Sequence, residues 1–362
     1  MQPSRSMPRL LNHGGDLSLE IDRLSRSQLF HPSHGLVRQF EEDCLNILSR
    51  VRSIVSKKFV ITGGAGFIGS NLAWALAPEN EVVVIDDLST GRVENLACLD
   101  VHFIKGSITD PDLLLEAFQG ADCVFHQGAI ASVKKSVENP TRTNLVGIDG
   151  TLNVLVAARD AGVRRVVQAS SAAVYGSSLE LPKTEDMRPF PQSPYAVTKL
   201  AAEHYARVFQ ELYGLETVSL RYFNVFGPKQ DPTSEYSGVI SRFISALLNN
   251  EQPVIYGDGE QTRDFVYVSD VVKANVLSSR SATGVYNIAC QKSISLNTLA
   301  EVMGEILGKE VHPRYESPRA GDIRHSLADI GRAKDMGYNP DYSLNDGLIE
   351  TIQWFRNGKI RD

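Results

Sequence analysis

The sequence predicts an α/β fold, a doubly wound parallel sheet with helices on both faces, and three observations lead to it. Short apolar runs alternate with helical patterns along residues 57 to 227. The first run passes into three glycines spaced by three residues, and the second ends on two adjacent acids. Beyond Gly227 the order loosens into short apolar pieces broken by Pro228, Pro232, Pro253, Gly257 and Gly259, which predicts a smaller C-terminal α/β portion.

Phe59 to Thr62 reads as a strand, and Gly63, Gly66 and Gly69 follow it, with Phe67 and Ile68 opening a helix that continues from Ser70 to Leu76. The three glycines serve different ends, namely a tight turn, close approach of backbone N–H groups to a pyrophosphate, and close helix packing on the sheet. A second strand, Val82 to Ile85, delivers Asp86 and Asp87 where a carboxylate bonds the adenosine ribose hydroxyls. Asp86 should repel a 2′-phosphate, which favours NAD over NADP. A glycine-rich turn without a ligand is the competing reading, and the complete strand-turn-helix-strand-acid unit argues against it. Further strands are expected at Val101 to Ile104, Cys123 to His126, Val166 to Ala169 and Val218 to Leu220. Helices are expected at Pro111 to Phe118, Thr143 to Ala161, Tyr195 to Tyr213 and Leu296 to Leu307. This is the Rossmann pattern.

Three segments result: an N-terminal extension at 1–56, an NAD-binding Rossmann domain at 57–227, and a mainly substrate-binding domain at 228–362, with the chain free to cross between the last two. Within the extension, Phe40, Cys44, Ile47, Leu48, Val51, Ile54 and Val55 recur at three or four residues and predict one amphipathic helix. A chain of 362 residues with 42% hydrophobic content supports a sizeable core. Net charge is −6 and no basic run appears, which speaks against nucleic acid as a partner. The four cysteines, Cys44, Cys98, Cys123 and Cys290, form no paired metal spacing, so no metal site is expected. No stretch reaches the roughly 18 apolar residues that span a bilayer, so no membrane partner and a cytoplasmic location are expected.

Tyr195 and Lys199 stand at i and i+4 on one helix face, just after Ser193-Pro194. An ammonium beside a phenol lowers the phenol's pKa and makes it a usable base. Upstream, the strand Val166 to Ala169 delivers Ser170 and Ser171 at its C-terminal end, where ligands of open parallel sheets bind.

Thr62-Gly-Gly-Ala-Gly-Phe-Ile-Gly69, Ser171, Tyr195-Ala-Val-Thr-Lys199 and Arg221-Tyr-Phe-Asn-Val-Phe-Gly227 occur together in this order. With them the chain, over roughly residues 57 to 357, resembles the extended short-chain dehydrogenases/reductases, and most of all the nucleotide-sugar 4-epimerases. The resemblance implies that Tyr195 is the base, Lys199 its electrostatic partner and ribose anchor, and Ser171 the hydroxyl on the reacting sugar oxygen. It places Asn144 near the cofactor and Tyr222 beside the nicotinamide. Ser107 and Ile108 fall at the adenine edge, where many members carry Asp-Ile, and Gln127 replaces a usual apolar residue of the loop His126-Gln-Gly-Ala129. On the substrate side it implies Asn224, Arg263 and Arg319 for the diphosphate, Asp322 for the nucleotide ribose, and Ser132 and Tyr256 as further contacts.

Sugar 4,6-dehydratases of the superfamily carry an Asp-Glu pair where this chain has Ala172 and Ala173, and methyl groups transfer no proton. Reversible oxidation at C4 remains: 4-epimerisation of a UDP-hexose through a transient 4-keto sugar. Ser326 falls where a small residue admits N-acetyl groups, which leans the reading to UDP-GlcNAc/UDP-GalNAc, with UDP-Glc/UDP-Gal also accepted. The alternatives are UDP-glucuronate 4-epimerisation or another nucleotide-sugar oxidoreductase or dehydratase reaction, and a non-enzymatic NAD-binding protein. The family pattern also implies a homodimer through the helices Thr143 to Ala161 and Tyr195 to Tyr213, with Leu152, Leu155, Val156 and Arg159 on the shared face.

Overall fold

The computed structural model describes residues 56–231, 238–318 and 323–359, so the helix expected in the N-terminal extension lies outside the described residues. In chain order the first half comprises β1 Lys58–Thr62, α1 Phe67–Leu76, β2 Glu81–Asp86, β3 His102–Lys105, α2 Pro111–Ala117, β4 Cys123–His126, α3 Val133–Glu138, α4 Pro140–Asn144, α5 Gly150–Asp160 and β5 Arg165–Ser171. Then come α6 Pro194–Tyr213, β6 Glu216–Tyr222, β7 Asn224–Phe226, α7 Val239–Leu248, β8 Val254–Tyr256, β9 Thr262–Tyr267 and α8 Val268–Ser281. The chain closes with β10 Gly284–Ile288, β11 Ser293–Ser295, α9 Leu296–Leu307, β12 Arg314–Glu316, α10 Gly331–Asp335 and α11 Leu344–Lys359.

Seven strands pair in the order β10-β6-β5-β4-β1-β2-β3, every neighbouring pair parallel. The period of two sorts side chains between the faces. Phe59, Ile61, Val82, Val84, Phe125 and Val167 enter one core, and Val60, Val83, Ile85, Val124 and Val166 enter the other. Burial on both sides explains the near-continuous apolar runs, each such side chain contributing about 1.5–3 kcal/mol. The strand order reverses between β1 and β4, so the crevice at their C-terminal ends is where an open sheet of this type binds a ligand.

A third core joins Phe226, Ile240, Phe243, Ile255, Phe265, Leu299, Met303, Leu348 and Phe355. Its side chains come from β7, β8 and β9 together with α7, α9 and α11. Beyond Gly227 the sequence announced only the helix at Leu296 to Leu307; α7, α8, α11 and the edge strand β10 are additional.

Two expectations need correction. The helix expected over Thr143 to Ala161 is interrupted by a π-helical turn at Leu145–Asp149. There the chain runs so close to α6 that a Cβ on Gly147 would meet the Thr198 side chain at 2.7 Å. Leu155, assigned to the intersubunit face, is fully buried in the subunit's own core, because the sheet claims that side of α5.

Candidate active site

The crevice is built first from backbone. Gly63 has φ +68°, and a Cβ there would come within 2.6 Å of Gly128 N, so β1 and β4 can turn away from each other only over glycine. A Cβ on Gly69 would meet Gly64 Cα at 2.7 Å, which keeps α1 close against the loop. Gly66 caps α1 without a side-chain hydrogen bond, leaving the helix N–H groups open to an anion, with Phe67 and Ile68 half-buried beside them.

Asp86 ends β2, and its carboxylate accepts the N–H of Ala65 at 3.0 Å and of Leu88 at 2.8 Å. Burial pushes its pKa up, against the pull of those N–H groups. Asp87 is half-buried and accepts from Ser89 N at 2.9 Å. Ser107 hydrogen-bonds the Thr109 hydroxyl at 2.9 Å. Ile108 is buried, its side chain 3.4 Å from where a Cβ on Gly128 would lie.

Ser171 closes β5 and its Oγ accepts from Ala173 N at 3.2 Å, capping a short 3₁₀ turn, Ala172–Tyr175. Across the crevice α6 starts with Ser193 Oγ accepting from Ala196 N at 3.2 Å and with Pro194 in its first turn, which fixes where Tyr195 emerges. The Ser171 hydroxyl is close enough to Tyr195 to pull the phenol's pKa down. Lys199 Nζ donates to Ala169 O at 2.7 Å and sits 6.0 Å from the Tyr195 ring centroid. The expectation that lysine lowers the phenol's pKa is not met in this arrangement. Burial raises Tyr195, only the neighbouring Ser171 hydroxyl opposes it, and burial draws Lys199 down to about 8 despite the nearby Glu203 carboxylate.

Tyr222 ends β6 in a buried cluster with Gln127 and Asn275: its hydroxyl is 3.3 Å from Gln127 Oε1, 3.1 Å from Asn275 Oδ1 and 2.8 Å from Asn275 Nδ2. Asn144, in contrast, is exposed at the C-terminal end of α4, and it is Gly147, one turn on, that packs against Thr198 beside Lys199.

Asn224 opens β7 half-buried. Arg263, second in β9, donates to Thr262 O at 2.9 Å. Tyr256 borders a cleft of about 390 Å³ together with Gly257, Gln261, Pro318 and Arg324. Ser326 is half-buried, and its N–H donates to Thr262 O at 3.1 Å. Ser132 is buried as the cap of α3, its Oγ accepting from Lys135 N at 3.1 Å, so one lone pair is already committed. Arg319 and Asp322 lie outside the described residues.

Sequence reading missed several groups that hold the site. His126 is buried between Thr62 Oγ1 at 2.7 Å and Thr151 Oγ1 at 3.1 Å. Arg221 and Glu203 form a buried ion pair at 2.7 Å behind Ser170 and Lys199. Asp264 accepts from Cys290 N at 2.9 Å and Ala328 N at 3.1 Å. The signal was present as polar residues inside apolar strands, but only contacts reveal which are partnered. Among the described residues no group of three His, Cys, Asp or Glu side chains could hold a metal ion, and no helix is long and apolar enough to cross a membrane.

Residues 59–289 match the NAD dependent epimerase/dehydratase family. The UDP-glucose 4-epimerase of Mycolicibacterium smegmatis is 40% identical over 309 residues, covering 82% of this chain and 98% of that protein. The solved structure of a UDP-N-acetylglucosamine 4-epimerase from Methanobrevibacter ruminantium, in complex with UDP-N-acetylmuramic acid, gives a TM-score of 0.82 at 44% identity, covering 84% of this chain and 99% of that one. A Thermus thermophilus UDP-glucose 4-epimerase in complex with NAD gives 0.77 at 37% identity, covering 83% and 99%.

Proposed function

We propose, from the premise that the chain belongs to the NAD dependent epimerase/dehydratase family, that it is a UDP-hexose 4-epimerase. Its cofactor is NAD, and the site's residues fit that group: a cradle that a Cβ on Gly63 or Gly69 would fill, an open helix N-terminus, and Asp86 at the end of β2. Asp86 and Asp87 would hold the adenosine ribose, Ser107 and Ile108 the adenine edge, and Lys199 and Tyr222 the nicotinamide end. NAD, when bound, supplies the acceptor and donor of the C4 hydride.

The Ser171 hydroxyl within reach of Tyr195, one helical turn before Lys199, carries this reading. Tyr195 removes the proton from the sugar O4 while Ser171 holds that oxygen, and Tyr195 returns the proton after the sugar has presented its other face. Ionisation of Tyr195 costs more than in water because burial raises its pKa. The Lys199 ammonium stabilises the phenolate by swinging from Ala169 O toward the phenol. Ala172 and Ala173 offer no acid or base to expel a hydroxyl, so the keto sugar is reduced again rather than dehydrated. Asn224, Arg263, Arg319 and Asp322 are assigned to the UDP moiety, on which the sugar turns.

Ser326 supports UDP-GlcNAc/UDP-GalNAc as the preferred pair, with UDP-Glc/UDP-Gal also accepted, in a cytoplasmic homodimer. Its interface is the face of α6 that exposes Val197, Tyr205, Val208 and Leu212, the last 70% exposed. Leu212→Glu should shift the protein to monomer in size-exclusion chromatography with light scattering. An unchanged mass would sink that assignment.

The test of activity is incubation of purified protein with UDP-GlcNAc or UDP-Glc, without added NAD, with products resolved by NMR. Formation of the 4-epimer supports epimerisation with retained cofactor. If neither sugar changes even with added NAD, the epimerase reading fails.

A further inference from the structure

Gln127, Asn275 and Tyr222 close a three-membered hydrogen-bonded ring inside the crevice. Gln127 Nε2 donates to Asn275 Oδ1 at 3.0 Å, and Asn275 Nδ2 donates to the Tyr222 hydroxyl at 2.8 Å. That hydroxyl has one proton and two acceptors within reach, Gln127 Oε1 at 3.3 Å and Asn275 Oδ1 at 3.1 Å. Asn275 Oδ1 is already served by Gln127, so donation to Gln127 Oε1 completes the ring and satisfies every polar atom in it. Asn275 is further fixed by donating to Val271 O at 2.8 Å, which anchors the ring to α8.

The three residues come from β6, from α8, and from the loop after β4. The Gln127 N–H donates to Thr62 O at 3.0 Å, and the next residue, Gly128, abuts Gly63. The ring therefore ties the side chain of Tyr222 to the glycine loop itself. Tyr222 in turn is the in-register neighbour of Ser171.

We propose that Gln127 is a positioning residue: through the ring it locks the Tyr222 side chain as the wall of the nicotinamide pocket and thereby slows the departure of bound NAD. This rests on the reading of the crevice as an NAD site. An epimerase needs the same NAD molecule through oxidation and re-reduction, so a locked wall serves retention rather than chemistry. An apolar residue at 127 leaves Asn275 Oδ1 able to accept the Tyr222 hydroxyl, so no buried polar group is orphaned and the fold survives. What is lost is the link to the glycine loop.

The experiment is a comparison of NAD dissociation from the holoprotein, followed by dilution and trapping of released NAD, for wild type, Gln127→Met, Tyr222→Phe and the double variant. Gln127→Met should release NAD about three- to tenfold faster, as expected for one net hydrogen bond, with its melting temperature nearly unchanged. In the Tyr222→Phe background the same substitution should add less than about twofold, because the ring is already open. Equal acceleration in both backgrounds, or none in either, would overturn the proposal. Because the readout is NAD release, it stands apart from epimerisation: wild type that retains NAD but turns over no UDP-hexose removes the reaction assigned above and leaves the ring testable, whereas wild type that holds no NAD overturns both.

Discussion

Ser171 and Tyr222 are register partners across β5 and β6, so the hydroxyl that lowers the Tyr195 pKa and the ring tied to the glycine loop stand side by side at the C-terminal edge of the sheet. The proposed function thus assigns proton transfer and cofactor holding to neighbouring strand ends but to different side chains. Tyr195→Phe should separate them. Turnover should fall by about 10²- to 10⁴-fold, the usual span of a positioned acid–base group. NAD bound per protomer should stay that of wild type. Loss of NAD together with activity would mean that Tyr195 is chiefly a binding residue.

His126 predicts an acid limit to stability. Thr151 Oγ1 gives its own proton to Gly147 O at 2.8 Å, so it accepts from His126 Nε2, and Nδ1 accepts from Thr62. The ring is thereby fixed in one neutral tautomer, and burial, aided by the Lys199 charge, pushes its pKa from 6.5 down to about 3. Between those values the unfolded chain binds a proton that the native one refuses, so stability is full above about pH 6.5 and declines as pH falls. Asp264 opposes this over part of the range, since burial raises its carboxyl from 3.8 to about 6 and the native state then binds the extra proton. Urea midpoints measured from about pH 7 to pH 4.5 should fall less steeply for His126→Gln than for wild type. Parallel curves would show that His126 is not the group responsible.

Asp264 is also the junction of two segments next to Ser326, which the proposed function places beside the sugar. Its two oxygens accept N–H groups from two separate segments, at Cys290 and at Ala328. Asp264→Asn can keep only one of these acceptors, leaving a buried N–H without a partner at a cost of about 1–3 kcal/mol. If the amide turns its NH₂ toward Ala328, the segment carrying Ser326 loosens. KM for the UDP-sugar should then rise several-fold more than kcat falls, measured by steady-state kinetics on the 4-epimer formed. A fall in kcat at unchanged KM would place Asp264 with the proton-transfer groups instead.

Much of this site could be read from the chain, and the divide follows range of interaction. The glycine loop, Asp86, Ser171 and the Tyr195–Lys199 spacing are local patterns, set by turn geometry, strand ends and helical periodicity, and all lie at the crevice. The Asn275 partner of Gln127 stands 148 residues away, beyond any local pattern. The edge strand β10 escaped notice because its Gly284-Val-Tyr-Asn-Ile288 is short and half-polar, yet Asn287 is buried by accepting from the Tyr175 hydroxyl at 2.6 Å and donating to Lys183 O at 2.9 Å. The misplaced pKa of Tyr195 has the same origin: spacing puts Lys199 on the same face, but Ala169 O competes for its ammonium.

Ser326 offers the sharpest test of substrate choice, because its backbone cannot retreat. On one side its N–H donates to Thr262 O at 3.1 Å, while Thr262 N donates to Arg324 O at 3.0 Å. On the other, Lys183 N donates to Leu327 O at 2.8 Å and Asp329 N donates to Lys183 O at 2.8 Å. Arg324 is held besides by a forked pair of bonds to Asp258 at 2.7 and 2.9 Å. A larger side chain at 326 must therefore take its volume from the space beside it rather than push the segment aside. Ser326→Tyr should lower kcat/KM for UDP-GlcNAc by at least about tenfold, about 1.4 kcal/mol of lost transition-state binding, while UDP-Glc stays within about threefold. Equal losses on both sugars would mean that position 326 supports the wall without facing the C2 substituent, and the preference for N-acetylated sugars would lose its structural basis.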